Sequence, residues 1–198
     1  ACRSRGIRIM LDGVFNHVSR QHDRVADGSS WARRQRDGTV RTFEGHDDLV
    51  ALDHRNPEVA DLVVDVMCHW LDAGADAWRL DAAYAVPSAF WRTVLPRVRE
   101  RFPDTYVLAE VIHGDYPGFV SDSGVDSVTQ YELWKAVWSS IIDANMHELQ
   151  WALTRHDEML TTFVPWTFVG NHDVTRIATR LAQRSADLAV VLLATLPG

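Results

Sequence analysis

Residues 7–11, 76–80, 105–109 and 163–169 are short apolar runs. Each leads to a carboxylate: Asp12, Asp81, Glu110 and, after Gly170-Asn171-His172, Asp173. Helix-like stretches separate the runs. A repeated order of strand, loop and helix suits a mostly parallel sheet with helices outside it, as a barrel or an open sheet, because parallel strands need long crossovers. In such a protein all the strand ends face one way, and in a closed barrel they converge where the active site sits. Carboxylates gathered there repel one another and lose hydration, so the arrangement is kept more readily for chemistry than for stability. A single acid after a strand is usually a helix cap. Four of them, two with a neighbouring histidine (His17, His172), point to a site.

Between these runs the clearest helix is predicted from Asn56. Asn56 suits the N-cap and Pro57 the first turn, and Gly74 is a natural stop. Val59, Leu62, Val63, Val66, Met67 and Trp70 recur at three- and four-residue spacing as its apolar face. A second helix is expected over 88–101, with Pro96 as a kink or break. Further helices are expected over 132–144, 148–160 and 186–195, with a weaker strand over 125–131. Residues 19–55 are polar, with turn signals at Asp27-Gly28-Ser29 and Asp37-Gly38 and no long helical pattern. That is too long for a simple strand-to-helix loop, so it reads as an inserted loop or subdomain.

Composition narrows the function. The chain has 198 residues, 46% of them hydrophobic and 24% charged, and a net charge of −7. An acidic chain argues against a general nucleic-acid binder. The arginine clusters (Arg33, Arg34, Arg36; Arg97, Arg99, Arg101) read as solvated faces. No apolar run is long enough for a membrane span. The start lacks a secretory signal, so cytoplasmic residence is expected, with secretion left open because the chain begins at Ala1 rather than Met. Cys2 and Cys68 have no metal or disulfide spacing, and Cys68 reads as a buried thiol.

Four segments carry a resemblance: Asp12-Gly-Val-Phe-Asn16-His17, Gly74-Ala-Asp-Ala-Trp-Arg79-Leu-Asp81, Ala109-Glu110-Val111 and Phe168-Val-Gly-Asn171-His172-Asp173. Occurring in this order, they resemble the signature segments of the α-amylase superfamily of retaining α-glycosidases and α-transglycosylases. The stretch from Leu49 to Val59 also resembles the family segment that closes its small inserted domain. The resemblance implies a (β/α)8 TIM barrel, incomplete in this chain, running from about strand 3 to the helix before strand 8. Residues 1–198 would be a partial catalytic domain and 19–55 its inserted subdomain. A complete barrel takes about 250 residues, and the missing barrel segments of the parent chain would be its partners. The isolated stretch is expected to be inactive.

By the same resemblance Asp81 is the nucleophile, Glu110 the acid/base and Asp173 the third catalytic acid. His17, Arg79 and His172 would bind substrate or hold the site, supported by Asp12, Asn16 and Asn171. Arg79 stands two residues before Asp81, so on a strand both side chains point the same way. No cofactor is needed for the chemistry. Asn16 matches a position that holds structural calcium in some relatives. The substrate would be an α-linked oligosaccharide or polysaccharide, with no nucleic acid or membrane partner. Tyr84 and Ala85 stand where many α-amylases carry a Lys-His pair that helps hold the glucan on the leaving-group side. That departure leaves an oligosaccharide hydrolase, a transglycosylase and a trehalose-forming enzyme all open.

Other readings are weaker. A metal-dependent barrel hydrolase would want a His-x-His pair or a suitable lysine, and the only lysine, Lys135, falls in a predicted helix. A non-catalytic relative used for binding should have lost catalytic acids, and all three are present. The remaining histidines (His22, His46, His54, His69, His113, His147 and His156) read as structural, and Trp31, Trp134 and Trp166 could stack on sugar rings, with core packing the default.

Overall fold

Strand β1 (Met10–Gly13) pairs in parallel with β5 (Ala77–Leu80), and β5 pairs in parallel with β6 (Tyr106–Ala109). The computed structural model describes residues 2–25 and 29–198. The turn expected at Asp27-Gly28 lies outside them. The architecture is that of an incomplete (β/α)8 barrel, parallel strands alternating with helices. It divides into two compact units, one of residues 1–110 and 121–126, the other of 111–120 and 127–198.

In the first unit α1 (Pro57–Asp72) follows the polar stretch and α2 (Ser88–Arg101) follows β5. Asn56 caps α1, its side chain accepting from the Glu58 backbone N–H at 2.9 Å. The buried face of α1 differs from the predicted stripe. Val59, Ala60, Val63, Val64, Met67, Cys68 and Leu71 are buried, whereas Trp70 is 48% exposed. Apolar residues cover so much of this helix that periodicity cannot choose among its faces. The buried face runs through small Ala60 and Cys68, which the predicted stripe passed over. Burial raises the Cys68 thiol pKa, which matches an inert thiol.

Helix α2 has the expected bounds and buries Phe90, Trp91, Val94, Leu95 and Val98 as predicted. It continues through Pro96. Arg97 pairs with Asp61 at 2.9 Å and Arg101 with Asp72 at 2.7 Å, joining α2 to α1, while Arg99 meets Asp126 at 2.7 Å. This cluster is thus matched by acids. Exposed pairs contribute at most about 1 kcal/mol each, against about 1.5–3 kcal/mol for each large apolar side chain fully buried. The apolar contact therefore dominates the helix pair.

The polar stretch carries a small antiparallel sheet that the sequence pattern did not show. β2 (His17–Ser19) and β3 (Thr42–Phe43) both pair with β4 (His46–Ala51). The register shifts between Thr42 and Phe43, and β4 begins with exposed His46, Asp47 and Asp48, so no clean alternation marks it.

In the second unit α3 begins at Tyr116 (Tyr116–Ser123), preceded by Asp115, whose carboxylate accepts from the Gly118 N–H at 3.0 Å. Pro117 and Gly118 hid this helix from a propensity reading. Helices α4 (Tyr131–Asp143) and α5 (His147–Met159) follow the short strand β7 (Ser127–Val128), then α6 (Ile177–Arg180) and α7 (Gln183–Thr195). Leu133, Ala136 and Val137 of α4 pack with Leu149 and Ala152 of α5 and Ala189 of α7. The strand expected over 163–169 is reduced to one bridge, Thr129 with Trp166. Trp166 donates to the Val128 carbonyl at 2.9 Å and accepts from the Gln130 N–H at 2.8 Å. Among the described residues no helix is long and apolar enough to cross a membrane.

Candidate active site

The sheet register explains how the first-unit site residues meet. Asp12 is the partner of Arg79, Arg79 the partner of Leu108, and Leu80 the partner of Ala109. The ladder continues one step beyond the strands, Asp81 N–H donating to the Gly13 carbonyl and Glu110 N–H to the Leu80 carbonyl, both at 3.0 Å. Asp81 and Glu110 thus stand at the same height. Partners in a parallel ladder share a face and side chains alternate along it, so Asp12, Arg79, Asp81 and Glu110 fall on one face. Trp78 and Leu80 fall on the other and are buried.

One guanidinium gathers the three acids. Arg79 Nη1 lies 2.8 Å from Asp12 Oδ1 and 2.5 Å from Asp81 Oδ1, while Nη2 lies 2.8 Å from Glu110 Oε1. Burial lowers the Arg79 pKa, but the hydrogen bond to Asp12, the charge of Glu110 and the hydrogen bond to Asp81 outweigh it and raise it above its ordinary value. Asp12 does reach Arg79 as expected. The same guanidinium also holds Glu110.

Ala82 follows Asp81 in a left-handed conformation with φ 44° and donates its N–H to Glu110 Oε2 at 2.8 Å. His17 is buried, and Asn16 Nδ2 lies 3.3 Å from its Nδ1. A donating amide there places the ring proton on Nε2. Burial lowers the His17 pKa, against the raising charges of Asp81 and Glu44 and with a further lowering by His46. The imidazole ring stacks on Phe43 at 4.4 Å. Phe43, Glu44 and His46 were not singled out for the site by sequence. They lie in a hairpin whose position relative to Asp81 has no local sequence signal.

In the second unit Asn171 is half-buried and organises its loop. Its amide donates to the Tyr131 hydroxyl at 2.7 Å, its side-chain oxygen accepts from the Asp173 N–H at 3.0 Å, and its carbonyl accepts from Arg176 at 2.8 Å. His172 Nε2 and Asp173 Oδ2 are 3.4 Å apart, both on exposed side chains. Of the three candidate tryptophans, Trp31 is core, donating to Glu58 at 2.7 Å, whereas Trp166 is 45% exposed.

Calcium takes six to eight oxygen ligands. Among the described residues no group of three or more His, Cys, Asp or Glu side chains could hold a metal ion. The amide nitrogen of Asn16, the residue expected at a calcium position, lies 3.3 Å from His17 Nδ1, and no step below runs through a metal.

The alpha-amylase catalytic-domain family matches residues 24–198. The chain belongs to that family. Neopullulanase 2 of Thermoactinomyces vulgaris is 29% identical to this α-amylase-family chain over 96% of its length, and cyclomaltodextrinase of Geobacillus thermopakistaniensis is 28% identical over 90%. Among solved structures, the cyclic α-maltosyl-(1→6)-maltose hydrolase of Arthrobacter globiformis superposes on the whole chain with a TM-score of 0.88 at 30% identity. The α-amylase-family chain spans 36% of the neopullulanase and 50% of the Arthrobacter hydrolase chain.

Proposed function

We propose that the whole protein is a retaining α-glycoside hydrolase acting on α-linked glucans or oligosaccharides. The observation that carries this reading is the single guanidinium of Arg79 bridging Asp81 and Glu110 on adjacent strands. Double displacement needs two carboxyl groups about 5–5.5 Å apart, one on each side of the scissile bond. Two acids at one height on neighbouring strands, both bonded to one planar group, suit that requirement.

In the proposed reaction a carboxylate oxygen of Asp81 attacks the anomeric carbon while Glu110 gives its proton to the departing glycosidic oxygen. The glycosyl ester on Asp81 is then opened by water, whose proton returns to Glu110. Arg79 and Asp12 hold Asp81 in line, the Ala82 N–H fixes one oxygen of Glu110, and His17 hydrogen-bonds sugar hydroxyls as a neutral ring. On this reading Asp173 is the third acid and His172 binds sugar hydroxyls. Residues 19–55 form an inserted subdomain on this reading. The relatives' names, neopullulanase, cyclomaltodextrinase and a maltosyl-maltose hydrolase, support maltose-based oligosaccharides as the substrate class.

Proton NMR of the first product formed by the whole protein from maltotriose or a cyclomaltodextrin tests the reading. The α-anomer is expected, and initial release of the β-anomer would overturn it. Product analysis in the same samples separates hydrolysis from transfer, since transfer yields chains longer than the substrate. Asp81→Asn should reduce turnover below about a thousandth with the fold intact, because an amide cannot form the ester.

A further inference from the structure

The turn Ala83–Ala85 that follows the nucleophile strand projects Tyr84, and its hydroxyl donates to Glu44 Oε1 at 2.5 Å, 40 residues away. Glu44 is the tip of the hairpin joining β3 to β4. Phe43 and His46 are paired across it, and Glu44 and Gly45 both adopt positive φ, 48° and 81°. Two consecutive left-handed residues make the tight turn that matches strand twist. Glycine accepts this freely, whereas glutamate does so against the steric preference of its Cβ. The carboxylate at the tip is therefore held where the backbone alone would not favour it.

Three observations place this tip beside the reacting groups. Tyr84 N–H donates to the Glu110 carbonyl at 3.1 Å, fixing the turn to the acid/base residue. Phe43, next to Glu44, stacks on His17. The phenol of Tyr84 feels the charges of Glu110 and Asp81 as well as that of Glu44, and burial together with all three raises its pKa.

We propose that the Tyr84–Glu44 hydrogen bond is a clasp that holds the hairpin of the inserted segment against the catalytic acids and shapes the leaving-group side of the sugar site. This rests on the glycosidase reading above. The leaving oxygen departs where Glu110 delivers its proton, and Tyr84 is tied through its backbone to Glu110. A wall built from Tyr84 and the hairpin tip therefore meets the sugars beyond the scissile bond. Tyr84 and Glu44 are positioning residues, since they act through the placement of the hairpin. A hydrogen bond to a charged group contributes more than a neutral one, so losing it should be measurable in binding.

The test compares wild type, Tyr84→Phe, Glu44→Ala, Glu44→Gln and the Tyr84→Phe/Glu44→Ala double variant in the whole protein. Two substrates are used, maltotetraose with its sugar leaving group and α-maltosyl fluoride with almost none. Tyr84→Phe should lower kcat/KM for maltotetraose about tenfold, chiefly through KM, and affect the fluoride far less. Glu44→Ala should match it, Glu44→Gln should recover part because its amide oxygen still accepts, and the double variant should be no worse than either single change. Hydrogen exchange supplies a readout independent of turnover: the amides of Phe43–His46 should exchange faster in Tyr84→Phe. Unchanged exchange overturns the clasp whatever the kinetics. Faster exchange with equal losses on both substrates, or with none, overturns its role on the leaving-group side. Absence of turnover in the wild type overturns the glycosidase reading and that kinetic role, while the exchange result still decides whether the hairpin is clasped.

Discussion

Ala82 donates its backbone N–H to Glu110 Oε2 over 2.8 Å from a left-handed conformation that residues bearing a Cβ seldom adopt. The backbone is strained where it aims a donor at one of the two central acids. Ala82 is also buried, with 2% exposure. Ala82→Gly would relieve the strain but lose one buried methyl, two effects of about 1 kcal/mol each and of opposite sign. Its stability should stay within about 1 kcal/mol of wild type. Ala82→Val adds branching at Cβ to the same dihedrals and should cost about 1–3 kcal/mol. It should also lower kcat by turning the N–H away from Glu110. Urea denaturation and steady-state kinetics on the two variants check both statements.

Gly13 presents a second tight constraint next to the site. A Cβ there would lie 2.4 Å from Cε2 of Phe15. Phe15 is buried and cannot swing clear, since its ring packs 5.7 Å from Trp78 and 6.4 Å from Trp91. Gly13→Ala should therefore destabilise by about 1–3 kcal/mol, the usual range for overpacking. A shift in the urea midpoint without a change in slope is the expected signature.

The part of the site that follows from ladder geometry was readable in sequence. Asp12, Asp81 and Glu110 end parallel runs, and the Arg79 to Asp81 spacing forces both onto one face. The N-cap at Asn56 and the bounds of α2 were readable for the same local reason. What escaped depends on packing. The buried face of α1 is chosen by its neighbours, and the strand expected over 163–169 shrinks to the single bridge of Trp166 with Thr129. The sheet formed by β2, β3 and β4 carries polar residues where alternation would be sought. The contact of Glu44 with Tyr84 joins residues 40 apart in sequence, and nothing local to either predicts it.

His54 gives the first unit a pH dependence. Its Nε2 lies 3.0 Å from the Phe15 carbonyl, and its ring packs edge-on to Phe90 at 4.7 Å. Burial lowers its pKa from 6.5, outweighing the raising hydrogen bond to Phe15; Arg33 lowers it further and Asp53 raises it. A pKa lower in the folded than in the unfolded chain means the unfolded chain binds the proton first. The stability contribution is thus fully present above about pH 6.5 and is lost as pH falls through the folded value. Stability should decline from pH 7.5 to pH 5, and the decline should be shallower in His54→Gln, whose side chain does not titrate. Urea midpoints at the two pH values measure the difference.

Arg79 separates charge from geometry. It touches Asp12, Asp81 and Glu110 at once, which a planar guanidinium does with fixed angles and an ammonium does not. Arg79→Lys retains the positive charge and should leave the fold intact by circular dichroism. Its single nitrogen cannot span Asp81 and Glu110 in the same arrangement, and displacement of a reacting group by about 1 Å costs about a hundredfold in rate. In the whole protein kcat should therefore fall by about a hundredfold or more, with a smaller change in KM. Asp12→Asn should cost less, because its carboxylate side chain is 52% exposed. Equal kinetics for wild type and Arg79→Lys on maltotriose would mean that only the charge matters and that the shared guanidinium does not position the two acids.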